Sequence, residues 1–377
     1  MRIGIDASTI GTQGGPRTYV LNLIESLLKI DKENEYVLFY NSKEHVGKFP
    51  RAREVVVPFS NPATRLFREH LLMAYHYKRE RLDLIHNPKS AISLLKPCKT
   101  VVTIFDLIPI TNPETEKWMA RVYWKVQIPA AARHADFVIT SSEFAKREII
   151  RRYGTPEDRI KVIPIAYNNY CRPMNLGQEA DEVRRKYSIP DRYILYVGTI
   201  QPRKNLDMLV KAYSKLVKSK RVTHKLVITG RKGWLYGTLF ELIKSEGLEQ
   251  NVIFTGFVSD EELPYIYNGA ELFVYLSLFE GFGIPPLEAM ACGVPVICSD
   301  ATSLPEVVGD AGILVNPMDQ EGVERAMLSV VESASLRLEM QEKGFLQAKK
   351  FSWERTAIET LKVYKKILGG LSERKFS

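Results

Sequence analysis

Short apolar runs alternate with amphipathic stretches from one end of the chain to the other, and that alternation leaves few folds open. Runs such as Val101–Phe105 and Tyr193–Val197 are dominated by apolar residues without a polar alternation, as strands are when both faces of their sheet are covered. Between them, apolar residues recur at spacings of three and four, as on helices that lie against such a sheet. The chain therefore reads as α/β with parallel sheets throughout. In the first half the predicted strands are Arg2–Ile5, Tyr36–Tyr40, Glu54–Val57, Leu82–Ile85, Val101–Phe105, Phe137–Thr140 and Lys161–Ile163, with helices over Thr18–Ile30, Ala63–Arg79, Trp118–His134 and Glu143–Tyr153. A second cycle runs through Tyr193–Val197, Lys225–Thr229, Val252–Phe254, Leu272–Val274, Pro295–Cys298 and Gly312–Val315. Its helices are Asn205–Lys218, Trp234–Glu246, Asp260–Asn268, Pro286–Cys292 and Glu321–Ser333.

At 377 residues the chain is about twice the usual size of one domain, so two cores are expected. The irregular polar segment Ala166–Gly177 separates the two cycles and predicts the linker, giving domains of 1–172 and 173–351. After Pro317 the pattern is nearly all helical. It ends in FSWERTAIETLKVYKKIL, where Trp353, Ala357, Leu361, Tyr364 and Leu368 form a largely apolar stripe that must be covered.

The formal charge of +9 suits a polyanion, an anionic membrane face or a phosphate-bearing substrate. Nucleic acid ranks last among these, because the chain carries no aromatic-basic RNA motif, zinc-finger spacing or basic-region heptad. Cys98, Cys171, Cys292 and Cys298 form no CxxC pair and read as free thiols. The opening MRIGIDAS reads as a strand entering a turn, and no stretch approaches the roughly 18 apolar residues of a membrane span, so a soluble, cytoplasmic protein is expected. No Asp stands two positions from another, so the D-x-D device for holding a divalent cation is absent; neither a metal nor a cofactor is expected.

The stretch SLFEGFGIPPLEAMACGVPVICSD, Ser277–Asp300, carries the most chemistry. A strand ends just before it, Gly281 and Gly283 let a backbone approach a ligand, and Pro285 and Pro286 suit the first turn of a helix. The exposed N–H groups and the positive end of such a helix favour phosphate. Glu280 before the helix and Glu288 within it are placed to accept hydrogen bonds from vicinal hydroxyls. A second strand-turn-helix, VGTIQPRKN over Val197–Asn205, brings Arg203 and Lys204 to a helix start, where the dipole disfavours cations unless an anion accompanies them. Two cations there would stabilise a departing diphosphate. Each stretch also has a plain alternative, a solvated turn carrying surface charges.

With Glu280 and Glu288 forming an E-x7-E pattern inside EGFGIPPLEAMACGVPVI, and with VGTIQPRKN and GFVSDEELPYIYNGAELFVYLS beside it, the chain resembles the retaining GT-B glycosyltransferases of family 4, which include bacterial mannosyltransferases. The resemblance covers essentially the whole chain. It implies two Rossmann-like domains with a cleft between them, and a terminal helix, 352–377, that returns to the first domain. It implies a nucleotide-sugar donor, best GDP-mannose, and a glycan or lipid-linked acceptor in cell-surface polysaccharide or glycolipid synthesis. By the same resemblance Arg203 and Lys204 hold the diphosphate, Glu288 the ribose, and Glu280 the transferred sugar, assisted by the backbone at Phe282, Gly283 and Ile284. Phe257 and Val258 flank the base, Gly230 and Arg231 border that pocket, and Gly198 lies in its first turn. Gly14 and Gly15, with Arg17 beside them, approach the donor phosphate and the acceptor.

At Phe105–Asp106 the chain departs from the family, whose members commonly have His-Asp there with the His on the donor sugar. Phe105 makes no such hydrogen bond. Either Asp106 or a neighbour such as His86 covers the role, or the sugar is held differently. The segment Leu66–Leu82, with Arg65 before it and Arg68, Lys78, Arg79 and Arg81 within it, reads as a peripheral contact with an anionic membrane or as a solvated basic helix.

With no evident protein nucleophile, retention points to a front-face displacement in which the leaving diphosphate oxygen takes the acceptor proton, and the protein positions and stabilises charge. A carboxylate nucleophile, for which Glu280 is the conspicuous candidate, is the competing route. A non-hydrolysing sugar-nucleotide epimerase and a sugar-nucleotide-binding module without turnover are the alternative functions.

Overall fold

The strand Arg2–Asp6 (β1) is flanked in parallel by Glu35–Tyr40 (β2) and, on its other side, by Leu84–Asn87 (β4), Ile3 standing in register with both Tyr36 and Leu84. Arg53–Val56 (β3) lies outside β2, and Lys99–Thr103 (β5), Phe137–Thr140 (β6) and Ile160–Val162 (β7) follow β4, giving a seven-stranded sheet of order β3-β2-β1-β4-β5-β6-β7. Every pairing is parallel. Parallel neighbours need a crossover, and the helices that supply it cover the sheet's faces, which is why these strands are continuous apolar runs. The computed structural model describes all residues except 13, 59–67, 113–117, 232, 234–236 and 373–377.

A second parallel sheet, of six strands, repeats the scheme. It comprises Tyr193–Val197 (β8), Lys225–Thr229 (β9), Val252–Gly256 (β10), Leu272–Tyr275 (β11), Val296–Ser299 (β12) and Ile313–Val315 (β13), in the order β10-β9-β8-β11-β12-β13. Both sheets thus have the Rossmann order, in which strand order reverses beside the first strand. Ligands bind such folds at the carboxyl ends of the strands near that reversal. In the first sheet it falls between β1 and β4, and in the second between β8 and β11.

The chain forms two compact units, residues 1–165 rejoined by the chain from Ser352 onward, and Ala166–Phe351. The division falls at Ile165 and Ala166, ahead of the boundary placed after 172. The irregular segment lies on the second unit, where Tyr170 donates to Asp260 at 3.2 Å and the Met174 N–H to Asn268 at 2.9 Å. The last helix, Trp353–Ser372, belongs to the first unit. Its buried stripe is Trp353, Thr356, Ala357, Thr360, Val363 and Tyr364, whereas Leu361 and Leu368, counted in the apolar stripe, are only half-buried. Thr356 and Thr360 turn their hydroxyls to the carbonyls of Pro164 and Thr356 and so are buried without an unmet donor.

Local chemistry sets the element ends. Ser142 caps the helix Glu143–Tyr153 through the Ala145 N–H at 3.1 Å, and Gly154 closes it in the left-handed conformation. The first helix starts at Gly15 rather than Thr18 because Pro16 fits its first turn, and the helix expected from Asp260 starts at Leu263 for the same reason at Pro264. The strand expected from Leu82 begins at Leu84, since Arg81 takes a left-handed turn with φ 51°. Of the long helix expected over Ala63–Arg79, the described part is a π turn over Arg68–Leu72 that leads into the helix Met73–Arg79; its residues 63–67, Arg65 and Leu66 among them, lie outside the described residues, as do 234–236 of the helix expected over Trp234–Glu246.

Candidate functional site

In the second unit, β8 runs into Gly198 and the 3-10 turn Pro202–Lys204, and β11 runs into the loop that reaches Glu280. The Leu278 N–H donates to the Arg203 carbonyl at 2.9 Å, which joins the two loops across the strand reversal. Glu280 thereby meets both cations. Its Oε1 lies 2.9 Å from Arg203 Nη1, accepts the Tyr275 hydroxyl at 2.9 Å, and accepts the Lys204 ammonium, which also donates to Tyr275. Arg203 further donates to the Phe279 carbonyl at 2.7 Å.

Lys204 and Glu280 are both buried. Burial alone would raise the Glu280 carboxyl, but the charges of Lys204 and Arg203 outweigh it and hold the pKa at about 2. The anion that two cations at a helix start call for is thus supplied by the chain itself. Sequence reasoning named Glu280, Arg203 and Lys204 separately and missed their mutual contact and Tyr275, whose only sequence signal was an aromatic at the carboxyl end of a strand.

The glycines of this unit are required by backbone approach. A Cβ on Gly230 would stand 2.1 Å from the Gly198 carbonyl oxygen, and φ is +141°. Gly283, with φ +119° and a would-be Cβ 2.6 Å from Leu304, begins the helix Ile284–Ala291, whose Pro285 and Pro286 fill its first turn. Ser303 holds the approach by donating to the Glu280 and Phe282 carbonyls, each at 2.9 Å. Ile284 is half-buried and Phe282 buried, so what these positions offer a ligand is backbone.

Glu288, within that helix, is buried beside Asn168, whose amide donates at 2.8 Å, and Tyr267, whose hydroxyl donates at 3.1 Å. Here burial wins over those two donors and lifts the carboxyl to about 7. Two acids eight positions apart are therefore driven to opposite ends of the carboxylate range by what surrounds them. Phe257 is 54% exposed, with the Arg231 guanidinium 4.6 Å above its ring, and Val258 behind it is buried. An exposed aromatic with a planar cation on one face is a platform for a flat heterocycle.

In the first unit Gly14, with φ +90° and nothing within 4 Å of a would-be Cβ, precedes the helix Gly15–Ile30. Its carbonyl accepts the N–H groups of Arg17 and Thr18. Asp106 is half-buried and accepts the Ile108 N–H at 2.9 Å. Phe105 lies edge-on to Tyr19, ring centroids 4.8 Å apart. His86 does not take the role of the missing histidine. It is fully buried, with Nδ1 2.6 Å from the Tyr364 hydroxyl and Nε2 2.7 Å from Thr103 Oγ1, and burial pushes its pKa down to about 3. It ties the last helix to β4 and β5 instead.

Sequence reasoning also missed Lys89. Its Nζ is 2.7 Å from Asp6 and 3.3 Å from Glu69, and the three groups come from the ends of β1 and β4 and from the π turn. The signal was available in DAS at the end of β1 and HNPKS at the end of β4, stretches with polar residues at the two strand ends flanking the reversal.

Two family models match: Glycosyltransferase Family 4 over residues 13–168 and Glycosyl transferases group 1 over 179–347. The chain is 38% identical over 268 residues to O-antigen chain mannosyltransferase B of Escherichia coli, the match covering 71% of this chain and 70% of that one. It is 33% identical over 284 residues to the serotype-specific mannosyltransferase WbdA of Escherichia coli, a match covering 74% of this chain but only 34% of that protein. Among solved structures, a glycosyltransferase from Rickettsia africae aligns over 97% of this chain and 98% of its own with a TM-score of 0.76 at 20% identity, a likeness of fold.

Proposed function

The chain belongs to glycosyltransferase family 4, and from that premise we propose that it moves mannose from GDP-mannose to an acceptor hydroxyl, retaining the anomeric configuration, in the assembly of a cell-surface polysaccharide. The observation that carries this reading is the Arg203–Lys204–Glu280 cluster at the strand reversal of the second unit, in which Lys204 and Glu280 are buried. The named activities of the Escherichia coli relatives supply the sugar.

When the donor arrives, its diphosphate takes up part of the charge that Arg203 and Lys204 now give to Glu280. The carboxylate is then available to the hydroxyls of the hexose. Glu288 receives the ribose hydroxyls, and Phe257 with Arg231 receives the base. The bond from the anomeric carbon to the phosphate oxygen breaks while the acceptor oxygen bonds to the same face, and the acceptor proton passes to the departing phosphate. Negative charge grows on that phosphate, so the two cations contribute most at the transition state and no metal is needed.

The first unit also suits a peripheral place on an anionic membrane. Its helix Trp118–His134 holds Arg121, Lys125 and Arg133 and no acid, and exposes Trp118, Met119, Val122 and Val126. Leu71 and Tyr75 of the basic segment are exposed nearby, since His70 contacts Gln127 of that helix at 3.2 Å. Apolar side chains ringed by cations insert into such surfaces. Among the described residues no helix is long and apolar enough to cross a membrane.

A thermal-shift panel of GDP-, UDP-, ADP- and dTDP-sugars tests the donor, because a ligand that binds only the folded state raises its stability. GDP-mannose is expected to give the largest shift. A larger shift from another nucleotide would overturn the donor assignment.

A further inference from the structure

The register that sets Tyr275 opposite Cys298 brings the loop after β11 and the turn after β12 out of the second sheet side by side. That turn, residues 300–303, holds the Glu280 loop by its backbone. Thr302 Oγ1 accepts the Glu280 N–H at 3.1 Å, and the fully buried Ser303 hydroxyl shares its proton between the Glu280 and Phe282 carbonyls, each at 2.9 Å. Thr302 does this from a left-handed backbone, with φ +58°. Glycine takes that conformation freely, whereas a β-branched side chain there crowds its own backbone. Among the described residues Thr302 is the only β-branched one at positive φ. A side chain thus stands where it costs stability, and the bond it brings is the one to Glu280.

We propose that Thr302 is a positioning residue for Glu280, fixing the backbone from which the carboxylate reaches the transferred hexose; the hexose in that statement rests on the glycosyltransferase reading. The Glu280 side chain is held by Arg203, Lys204 and Tyr275. On that reading the two cations are the groups an arriving diphosphate draws on, so they are not what keeps Glu280 in place once the donor is bound. Thr302 and Ser303 are uncharged and bond to the backbone, and neither contact depends on the charge balance of the cluster. A reacting group displaced by about 1 Å loses rate steeply. The free nucleoside diphosphate, which lacks the hexose, binds without this contact, so loss of the Thr302 hydroxyl acts on turnover and spares nucleotide affinity.

Three substitutions separate the hydroxyl from the strain. Thr302→Ser keeps the hydroxyl, Thr302→Ala removes it but leaves a Cβ in the left-handed region, and Thr302→Gly removes both. Turnover is expected to follow the hydroxyl: kcat with GDP-mannose falls about tenfold to a hundredfold in Thr302→Ala and Thr302→Gly alike, the affinity for free GDP is kept, and Thr302→Ser retains most of the rate. Stability is expected to follow the backbone instead. The urea midpoint of Thr302→Gly should lie above that of Thr302→Ala, since a Cβ is strained at positive φ and glycine has none. Amide exchange over residues 278–283, read by mass spectrometry on the full chain without donor, should quicken in Thr302→Ala and Thr302→Gly but not in Thr302→Ser. Exchange unchanged in the first two, kcat unchanged in them, or kcat that recovers from Thr302→Ala to Thr302→Gly in step with the midpoint overturns the proposal. If the wild type gives no transfer from GDP-mannose, the mannosyl-transfer reading falls, and the exchange result by itself decides whether Thr302 fixes this loop.

Discussion

The Lys204 ammonium donates to Oε1 of Glu280, a residue 76 positions further along the chain, and both groups are buried. Each is costly to bury alone and tolerable together; on the proposed reading an incoming diphosphate divides the pair. A resting site in which the cations are already paired also avoids presenting an uncompensated positive charge to every anion that passes.

Replacing either cation tests the division. Arg203→Ala or Lys204→Ala is expected to lower kcat by about 2–4 kcal/mol, roughly thirty- to a thousandfold, with a smaller change in the donor KM. Glu280→Gln removes the competitor for the cations, so the free nucleoside diphosphate should bind at least as tightly as before while turnover falls. Steady-state kinetics with product-inhibition constants separates these effects. A rise in KM alone for all three would show that the cluster binds donor without acting on the leaving group.

Glu288 gives a pH signature of its own. Its carboxyl stands at about 7 in the folded chain against an ordinary 4.5, so its contribution to stability is fully present below 4.5 and is lost as pH rises through 7. Glu288→Gln has no such loss. Relative to the wild type the variant should gain about 3 kcal/mol of stability between pH 4.5 and pH 8 while its affinity for donor drops. Parallel stability curves across that range would contradict the placement of this acid.

Glu280 shows the reverse sign. Its pKa is depressed to about 2, so its stabilisation is present above 4.5 and lost as pH falls toward 2. Glu280→Gln should therefore flatten the acid limb of the unfolding curve, read by circular dichroism between pH 5 and pH 2. An acid limb identical to the wild type would show that the ion pairs contribute nothing there.

Tyr364→Phe tests the return of the last helix. It leaves His86 Nδ1 without the hydroxyl now 2.6 Å away, in a site with no exposure, at a cost of about 1–3 kcal/mol. Urea unfolding is expected to show that loss with the donor KM unchanged. An unaltered midpoint would mean the contact carries no stability.

The sheets were legible in the sequence because parallel strands covered on both faces leave consecutive apolar residues, and the thirteen strands among the described residues all lie within two residues of their expected ends. The π turn at Arg68–Leu72 was not legible, since its wider turn is set by backbone hydrogen bonding and not by residue type. In the site, Glu280, Glu288, Arg203 and Lys204 stood out because charged residues beside Gly and Pro at strand ends are conspicuous. Tyr275, Asn168 and Lys89 did not, because their roles depend on partners brought together by the fold. His86 was legible as a chemically capable residue, but only its burial against Tyr364 removes it from the reaction.

The central claim is retaining mannosyl transfer that relies on side-chain cations. Proton NMR of the products formed from GDP-mannose and a mannose-terminated acceptor, in excess chelator, tests it most directly. The account predicts an α-linked mannoside as the first product, formed at the same rate with and without chelator. A β-linked first product, or transfer abolished by chelator and restored by magnesium or manganese, would contradict it.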